Sequence, residues 1–288
     1  YGGTVVNTTA VNSHVTSSGD DVYAGIGGGR VSRGKVVNTM AVNSNVTTEG
    51  RGSIGGVVEE VYGGTVADTK AVNSFVNGNE KNFGSISNDQ LLCQKADPRV
   101  LTASCSSRTE FLVALDLSVC QVNAATASTP IDIIDINDAE TLGKIGRHPK
   151  YRLDGTYQQK ADIVVTKDYQ SIGNDSHPFT GEYDGQGRTI SGLSDCFVDT
   201  LEGSIRDLHF TCANINSQKT TGLAACVVDV TGTVSNIRAK DVHIFTNGNQ
   251  NYAGIGGGDV RGTVANTTAV NSHVTTSGYG SYAGIGGG

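Results

Sequence analysis

The 288-residue sequence has no tryptophan, one methionine and four prolines, and only 17% of its residues are charged. No apolar segment approaches the roughly 18 residues that cross a bilayer, so we expect a soluble protein that is not membrane-spanning. The formal net charge is −7 and lysine and arginine are not clustered, which excludes a basic surface for nucleic acid. The low charge, together with 39 glycines, argues against an ordinary helical or α/β enzyme domain.

What the sequence contains instead is an internal repeat. A block that begins with Gly, has Val or Ile two residues later and ends on a β-branched residue occurs six times, beginning at Gly3, Gly34, Gly64, Gly203, Gly232 and Gly262. Apart from the long gap after Gly64, successive blocks start 29 to 31 residues apart. A second block, Ala-Gly-Ile-Gly-Gly-Gly, occupies residues 24–29, 253–258 and 283–288. A fixed period of this length decides the fold before any single motif does.

The residues at equivalent repeat positions predict which side chains face inward. The positions of Val5 and Val15 hold only Val or Ile in every copy, and the position of Thr8 accepts Leu208 and Ile237. The positions of Val6, Thr9, Val11 and His14 mix polar and apolar residues, which is typical of a solvent-facing side. Short β-branched strands broken by glycine-rich corners at this period predict an all-β fold, a parallel β-helix with about 30 residues per repeat.

Two polar positions support this prediction. Asn or Asp occupies the position of Asn7 in all six copies, and Asn or Asp occupies the position of Asn12 in all but one, where Cys212 stands. Asparagine tolerates the left-handed backbone that corners need, and stacked amides hydrogen-bond between coils. We therefore interpret both positions as structural.

The repeat disappears between Phe83 and about Thr180. Capping-box spacing at Ser107 predicts a short helix over 107–119, and Asp138 precedes a second helix that ends at Gly146. The expected organisation is β-helix repeats over 1–82, a cysteine-containing cap or linker with a short helix over 83–130, a helix-bearing cap with the first coil over 131–190, and further repeats over 191–288.

From Ile136 to Leu193 the chain resembles bacterial proteins that carry the GLUG motif, named for Gly-Leu-x-Gly. The resemblance rests on Tyr151-Arg152-Leu153, on Ser171-Ile172-Gly173, on the phrase from Phe179 to Ile190 that reads FTGEYDGQGRTI, and on the Gly-Ile-Gly-Gly copies elsewhere. It implies a right-handed β-helix that is secreted or displayed on the cell surface. The motif also occurs in immunoglobulin A peptidase-like proteins, but the His-Glu-x-x-His that binds zinc in that class is absent here.

The order of the parts is unusual, because the expected cap lies in the middle of the sequence. Three explanations remain open: a piece of a longer repeat array, a permuted or nicked solenoid, or head-to-tail self-association of molecules. We favour a single solenoid that begins near residue 131, runs to 288, continues through 1–82 and ends in 83–130 as the opposite cap.

Six cysteines without a Cys-x-x-Cys motif favour disulfides over a metal or redox site. Cys196 and Cys226 occupy the same repeat position and should be stacked neighbours. The disulfide candidates are Cys93, Cys105, Cys120, Cys196, Cys212 and Cys226.

Two further repeat positions are candidate binding sites. Tyr23, Tyr252 and Tyr282 precede the Ala-Gly-Ile block and form a column suited to sugar stacking or to stacking on one another. His243 and His273 share an outward column with His14, so the first two should lie one strand apart as candidate metal ligands.

Catalysis is not expected. Asp184 and Asp195 are the best candidates for an acid and base pair, although the family resemblance places Asp184 in a turn. No cofactor is implied.

The sequence therefore predicts a non-catalytic structural or adhesion module, extracellular or on the cell surface, whose partner is a protein or glycan of a host or neighbouring cell. The first alternative is a carbohydrate-active enzyme or glycan-binding module with a site on the lateral face. The second is an accessory region of a larger secreted protease or toxin.

Overall fold

A computed structural model of the chain describes residues 3–29, 31–32, 34–51, 54–56, 61–62, 65–77, 79–83 and 132–288. The chain forms two compact units, one made of Tyr1–Ile86 with Ile133–Gly288 and the other of Ser87–Asp132. The second unit lies outside the described residues apart from Asp132, and so does the helix predicted over 107–119.

The described residues form an all-β fold, with strands numbered β1 to β29 along the chain and one short helix, α1 (Ala139–Gly143). The largest sheet contains β1 (Thr4–Val6), β2 (Thr9–Val11), β3 (His14–Ser18), β6 (Lys35–Val37), β7 (Met40–Val42), β8 (Asn45–Glu49), β11 (Thr65–Ala67), β12 (Lys70–Val76), β13 (Asn79–Phe83), β14 (Ile133–Ile136), β15 (Thr156–Gln159), β16 (Ile163–Val164), β17 (Glu182–Ser191), β19 (Ser204–Thr211), β20 (Asn214–Ser217), β23 (Thr233–Lys240), β24 (His243–Thr246), β27 (Thr263–Val270) and β28 (His273–Ser277).

Three smaller sheets complete the described strands. The first contains β4 (Tyr23–Gly25), β9 (Ile54–Gly56), β21 (Thr221–Gly222), β25 (Tyr252–Gly254) and β29 (Tyr282–Gly284). The second contains β18 (Val198–Leu201), β22 (Ala225–Val228) and β26 (Asp259–Val260), and the third pairs β5 (Val31–Ser32) with β10 (Val61–Tyr62).

Nearly all the pairings are parallel and join equivalent positions of successive repeats. One ladder runs through β15, β17, β19, β23, β27, β1, β6 and β11. The strands of residues 3–29 therefore pair with those of residues 262–288 on one side and with those of residues 34–56 on the other. This strand order agrees with the interpretation in which the repeats after residue 191 continue through residues 1–82.

The ends of the ladders differ from their middle. Strand β13 returns antiparallel to β12 and covers it, while β14 pairs with β15 and leads into α1. The helix begins at a capping box. The Asp138 carboxylate accepts a hydrogen bond from the Thr141 backbone N–H at 2.7 Å, and the Thr141 hydroxyl accepts one from the Asp138 backbone N–H. Gly146, at φ 75°, ends the following turn where the sequence predicted a stop.

The core consists of the repeat positions that the sequence assigned to it. The Val5 and Val15 positions are at most 6% exposed in every described copy but Val66 and Val76, which belong to the last repeat. Strand alternation explains the pattern, because residues two apart point to the same face. The asparagines form the corners between strands. Asn7 and Asn12 adopt the left-handed backbone conformation at φ 55° and 48°, and the residues at the equivalent positions do the same.

The glycine-rich corner has a steric cause. A Cβ on Gly284 would lie 2.0 Å from the carbonyl oxygen of Gly287, and one on Gly254 would lie 2.1 Å from that of Gly257. The chain therefore folds back on its own backbone so closely that no side chain fits. This contact explains why the Ala-Gly-Ile-Gly block is repeated so strictly.

Buried hydroxyl groups run through the core beside the aliphatic side chains. Ser13 and Ser44 each donate to the carbonyl two residues earlier, at 2.9 Å, and each accepts the backbone N–H of a neighbouring repeat. The hydroxyls of Thr8, Thr39 and Thr267, by contrast, are buried without a hydrogen-bond partner. The interior thus contains one row of hydroxyls that form hydrogen bonds and one row in which these three hydroxyls form none.

Among the described residues, no helix combines the length and the apolar character required to cross a lipid bilayer.

Candidate functional site

The parallel register converts each outward repeat position into a row of side chains along the ladder. His243, His273 and His14 lie opposite one another on β24, β28 and β3. Their ring centroids are 4.8 Å apart in both pairs, with ring planes inclined by 9° and 1°. We call these three residues the imidazole row. Asn214 and Asn45 flank the row in the preceding and following repeats.

The central ring of the imidazole row, that of His273, is the least exposed of the three. His14 and His243 are exposed, whereas His273 is only partly exposed between them. Its Nδ1 is buried and has no hydrogen-bond partner, and the same holds for the Oδ1 of Asn45 beside His14. Burial, with smaller contributions from the two neighbouring imidazoles, lowers the pKa of His273 below its ordinary value. The central ring is therefore neutral at neutral pH.

Sequence reasoning proposed His243 and His273 as the metal candidates and did not add His14. The structure places the rings of His243 and His273 side by side, as expected, and supplies His14 as a third. The signal was present, because His14 occupies the same repeat position. Only the pairing of β28 with β3 makes it a neighbour of His273.

The tyrosine column forms a second row. Tyr252, Tyr282 and Tyr23 stack with centroids 5.0 and 5.3 Å apart and ring planes within 12° of parallel. Tyr282 is 8% exposed. Because Tyr282 stacks on a ring at each of its two faces, neither face of this middle ring is open to a sugar. The arrangement corresponds to stacking of the rings on one another, one of the two roles considered for this column.

The asparagine row at the Asn7 position is a chain of hydrogen bonds. Each amide donates to the side-chain oxygen of the preceding repeat, from Asn38 through Asn7, Asn266 and Asn236 to Asp207, at 2.7 to 2.8 Å. Asp207 has no amide N–H, so it ends the chain as an acceptor. These polar side chains stabilise the stacking, in agreement with the structural role predicted for them.

The two carboxylates considered for catalysis are held by local contacts. Asp184 is 7% exposed, with Oδ2 2.7 Å from the guanidinium of Arg206 and 2.6 Å from the side-chain amide of Gln186. Its other oxygen accepts the Gln186 backbone N–H at 2.9 Å. Asp195 is exposed and accepts the backbone N–H of Cys196. Both carboxylates therefore fix turns and neighbouring strands.

One predicted disulfide is present, between Cys196 and Cys226, whose sequence separation is 30 residues. Both sulfur atoms lie near the Asp195 carboxylate, in an arrangement that resembles a three-ligand metal site. Because the sulfurs are bonded to each other, neither is a thiolate, and thiolate is the form that binds metals. Cys212 also takes part in a disulfide. Cys93, Cys105 and Cys120 lie outside the described residues.

No family model, no curated protein and no solved structure matches this chain. The resemblance to GLUG-motif proteins accordingly stays a prediction from the motifs.

Proposed function

We propose that this chain is a non-catalytic structural and adhesion module, secreted or displayed on a cell surface. In this proposal the parallel ladders are the successive coils of a right-handed, GLUG-type β-helix with about 30 residues per coil, and β14 with α1 belongs to a small cap. The ladder pairings between residues 29 to 31 apart support the coil length. The Cys196–Cys226 disulfide is compatible with an oxidising compartment.

The observation that carries the proposal is the regular outward rows on β24, β28, β3 and β8. Besides the imidazole row, these strands align Phe245, Thr275, Thr16 and Thr47 on the same side. A face of aligned side chains that repeats from strand to strand suits contact with an extended surface, such as a cell-surface protein or glycan. We call it the row face.

The carboxylates support a non-catalytic module over a carbohydrate-active enzyme. A glycosidase requires one carboxyl group free to donate a proton and a second to act as base or nucleophile, about 5 to 9.5 Å away. Asp184 has both oxygens engaged by Arg206 and Gln186, so neither oxygen is free to contact a substrate. It is therefore a poor general acid.

The test is an adhesion assay with beads coated with the purified protein, applied to cultured epithelial cells and to immobilised glycoproteins. The double variant Thr16→Lys/Thr275→Lys places two bulky charges on the row face, and we expect it to reduce bead retention at least about fivefold. Val230→Lys, at a position 73% exposed in the turn between β22 and β23, is the matched control and should leave retention unchanged.

Two results would contradict the proposal. One is absence of bead retention by the unmodified protein on every surface. The other is release of reducing ends from a polysaccharide panel that is lost in Asp195→Asn, since this would favour the enzyme alternative.

A further inference from the structure

The imidazole row is the strongest unexplained feature of the described surface. Three aromatic nitrogen heterocycles stand side by side on three adjacent strands. The hydrogen bonds of the asparagine row give that row a structural purpose, but the imidazole row has no comparable bonds: the Nδ1 of His273 is buried and unpaired. Buried polar atoms without a hydrogen-bond partner are rare in folded proteins, and a bound ligand that contacts the nitrogen is one explanation for this one.

We propose that the imidazole row binds a divalent late first-row transition metal ion, with His273 as the shared ligand and either His14 or His243 as the second. Imidazole nitrogen is a preferred ligand of Zn²⁺, Ni²⁺ and Cu²⁺, and only the neutral ring coordinates. This inference is independent of the adhesion proposal, because it concerns the chemistry of one row and not a cellular partner.

The spacing of the strands permits such a site once the side chains rotate. Two nitrogens on one tetrahedral Zn²⁺, each about 2.1 Å from the metal, lie about 3.4 Å apart. The ring centroids are now 4.8 Å apart in nearly parallel planes, and because the nitrogen lone pairs lie in those planes, at least one ring of a pair must turn before two nitrogens can share an ion. The exposed rings of His14 and His243 are free to tilt toward the central ring, while the backbone ladder holds their strands in place.

The strand order limits what the neighbouring asparagines add. Asn45 lies beyond His14 and Asn214 lies beyond His243, so a histidine stands between each amide and His273. An ion shared by His273 and one neighbour therefore takes its remaining ligands from water, and the two pairs should bind with similar affinity.

The experiment is titration of the purified full chain with Zn²⁺ by isothermal calorimetry at pH 7.5, after removal of metals with a chelator. Imidazole proton and nitrogen resonances are followed by NMR in parallel. The unmodified protein should bind Zn²⁺, with the ring signals of His273 and at least one neighbour shifting. His273→Asn should weaken binding at least about tenfold, because it removes the ligand common to both pairs.

The flanking variants separate a shared centre from unspecific binding. His14→Asn and His243→Asn each leave one pair intact, so each should retain binding, and the two variants should lose a similar amount of affinity. Asparagine already occupies this position at Asn45 and Asn214, which makes these substitutions compatible with the fold. His177→Asn, at an exposed histidine outside the row, is the control and should bind Zn²⁺ as the unmodified protein does.

The proposal is overturned if the unmodified protein shows no Zn²⁺ binding up to millimolar concentration. It is also overturned if Zn²⁺ shifts the ring signals of His177 but none in the imidazole row, or if His273→Asn, verified as folded by circular dichroism, binds Zn²⁺ unchanged.

Discussion

Replacing Thr267 by valine should stabilise the protein. Thr267 is fully buried on β27, and its hydroxyl has no hydrogen-bond partner. Its partner on β23 is Ile237, so the preceding repeat already places an aliphatic side chain at this position. Valine has nearly the shape of threonine and replaces the hydroxyl with a methyl group. The substitution removes the cost of burying an unpaired polar group and should not leave a cavity.

The magnitude follows from that cost. Burying a hydroxyl without a partner costs about 1–3 kcal/mol in proteins, so Thr267→Val should raise the free energy of unfolding by about 1–2 kcal/mol. With a urea m-value of about 3 kcal/mol/M for a chain of this size, the midpoint should rise by about 0.5 M. The assay is urea unfolding followed by far-ultraviolet circular dichroism.

Thr276 provides the matched control. It is equally buried, but its hydroxyl lies 2.6 Å from that of Ser17, so this hydrogen bond is made. Thr276→Val should lower the free energy of unfolding by about 1 kcal/mol or more. If Thr267→Val also lowers it, the Thr267 hydroxyl has a partner such as an internal water molecule, and the reasoning is wrong.

Three further predictions concern the corners, the asparagine row and the disulfide, all measured as urea midpoints. Gly284→Ala should lower the free energy of unfolding by about 3 kcal/mol or more, because the new Cβ meets a backbone carbonyl. Gly143→Ala, whose Cβ would meet no described neighbour within 4 Å outside its own helix, should be neutral or stabilise α1 by up to about 1 kcal/mol. Equal effects of the two substitutions would contradict the steric argument. Asn7→Gly should destabilise the fold through the loss of the two side-chain hydrogen bonds of Asn7. Asn7→Ala should lower the free energy of unfolding by about 1–2 kcal/mol more, because alanine is strained in the left-handed backbone conformation of this position. Equal midpoints for the two variants would show that the backbone conformation is not the reason for asparagine here. Cys196→Ala/Cys226→Ala should cost about 3–4 kcal/mol from the loop of that length, and an unchanged midpoint would show that the bond constrains nothing.

Several parts of the fold were accessible from the sequence because a repeat reports the environment of each position many times. The Val5 and Val15 positions, the inward Thr8 position and the left-handed asparagines all follow from which residues recur. The adjacency of Cys196 and Cys226 follows from the same period, and the structure contains the disulfide. The right-handed helix, the family and the cellular location stay predictions.

The carboxylates illustrate what the sequence did not provide. Asp184 was a candidate acid or base because of its neighbours in the chain, but its environment is decided by Arg206 on the adjacent strand β19. Nor does the sequence indicate which buried hydroxyls lack a hydrogen-bond partner. Ser13 and Thr8 both looked like small inward residues, and only their positions relative to neighbouring backbone groups make one satisfied and the other not.

Strand alternation and corner chemistry act over a few residues, so the direction of each side chain within a repeat can be derived from the sequence. The tertiary structure decided which repeats touch. Residues 3–29 pair with 262–288, and this contact joins His14 to His273, completes the asparagine row and extends the tyrosine row. The sequence period favours this continuation from residue 288 into residue 1 but leaves a longer array and head-to-tail association open, because repeats of similar sequence offer similar strands to any of these neighbours.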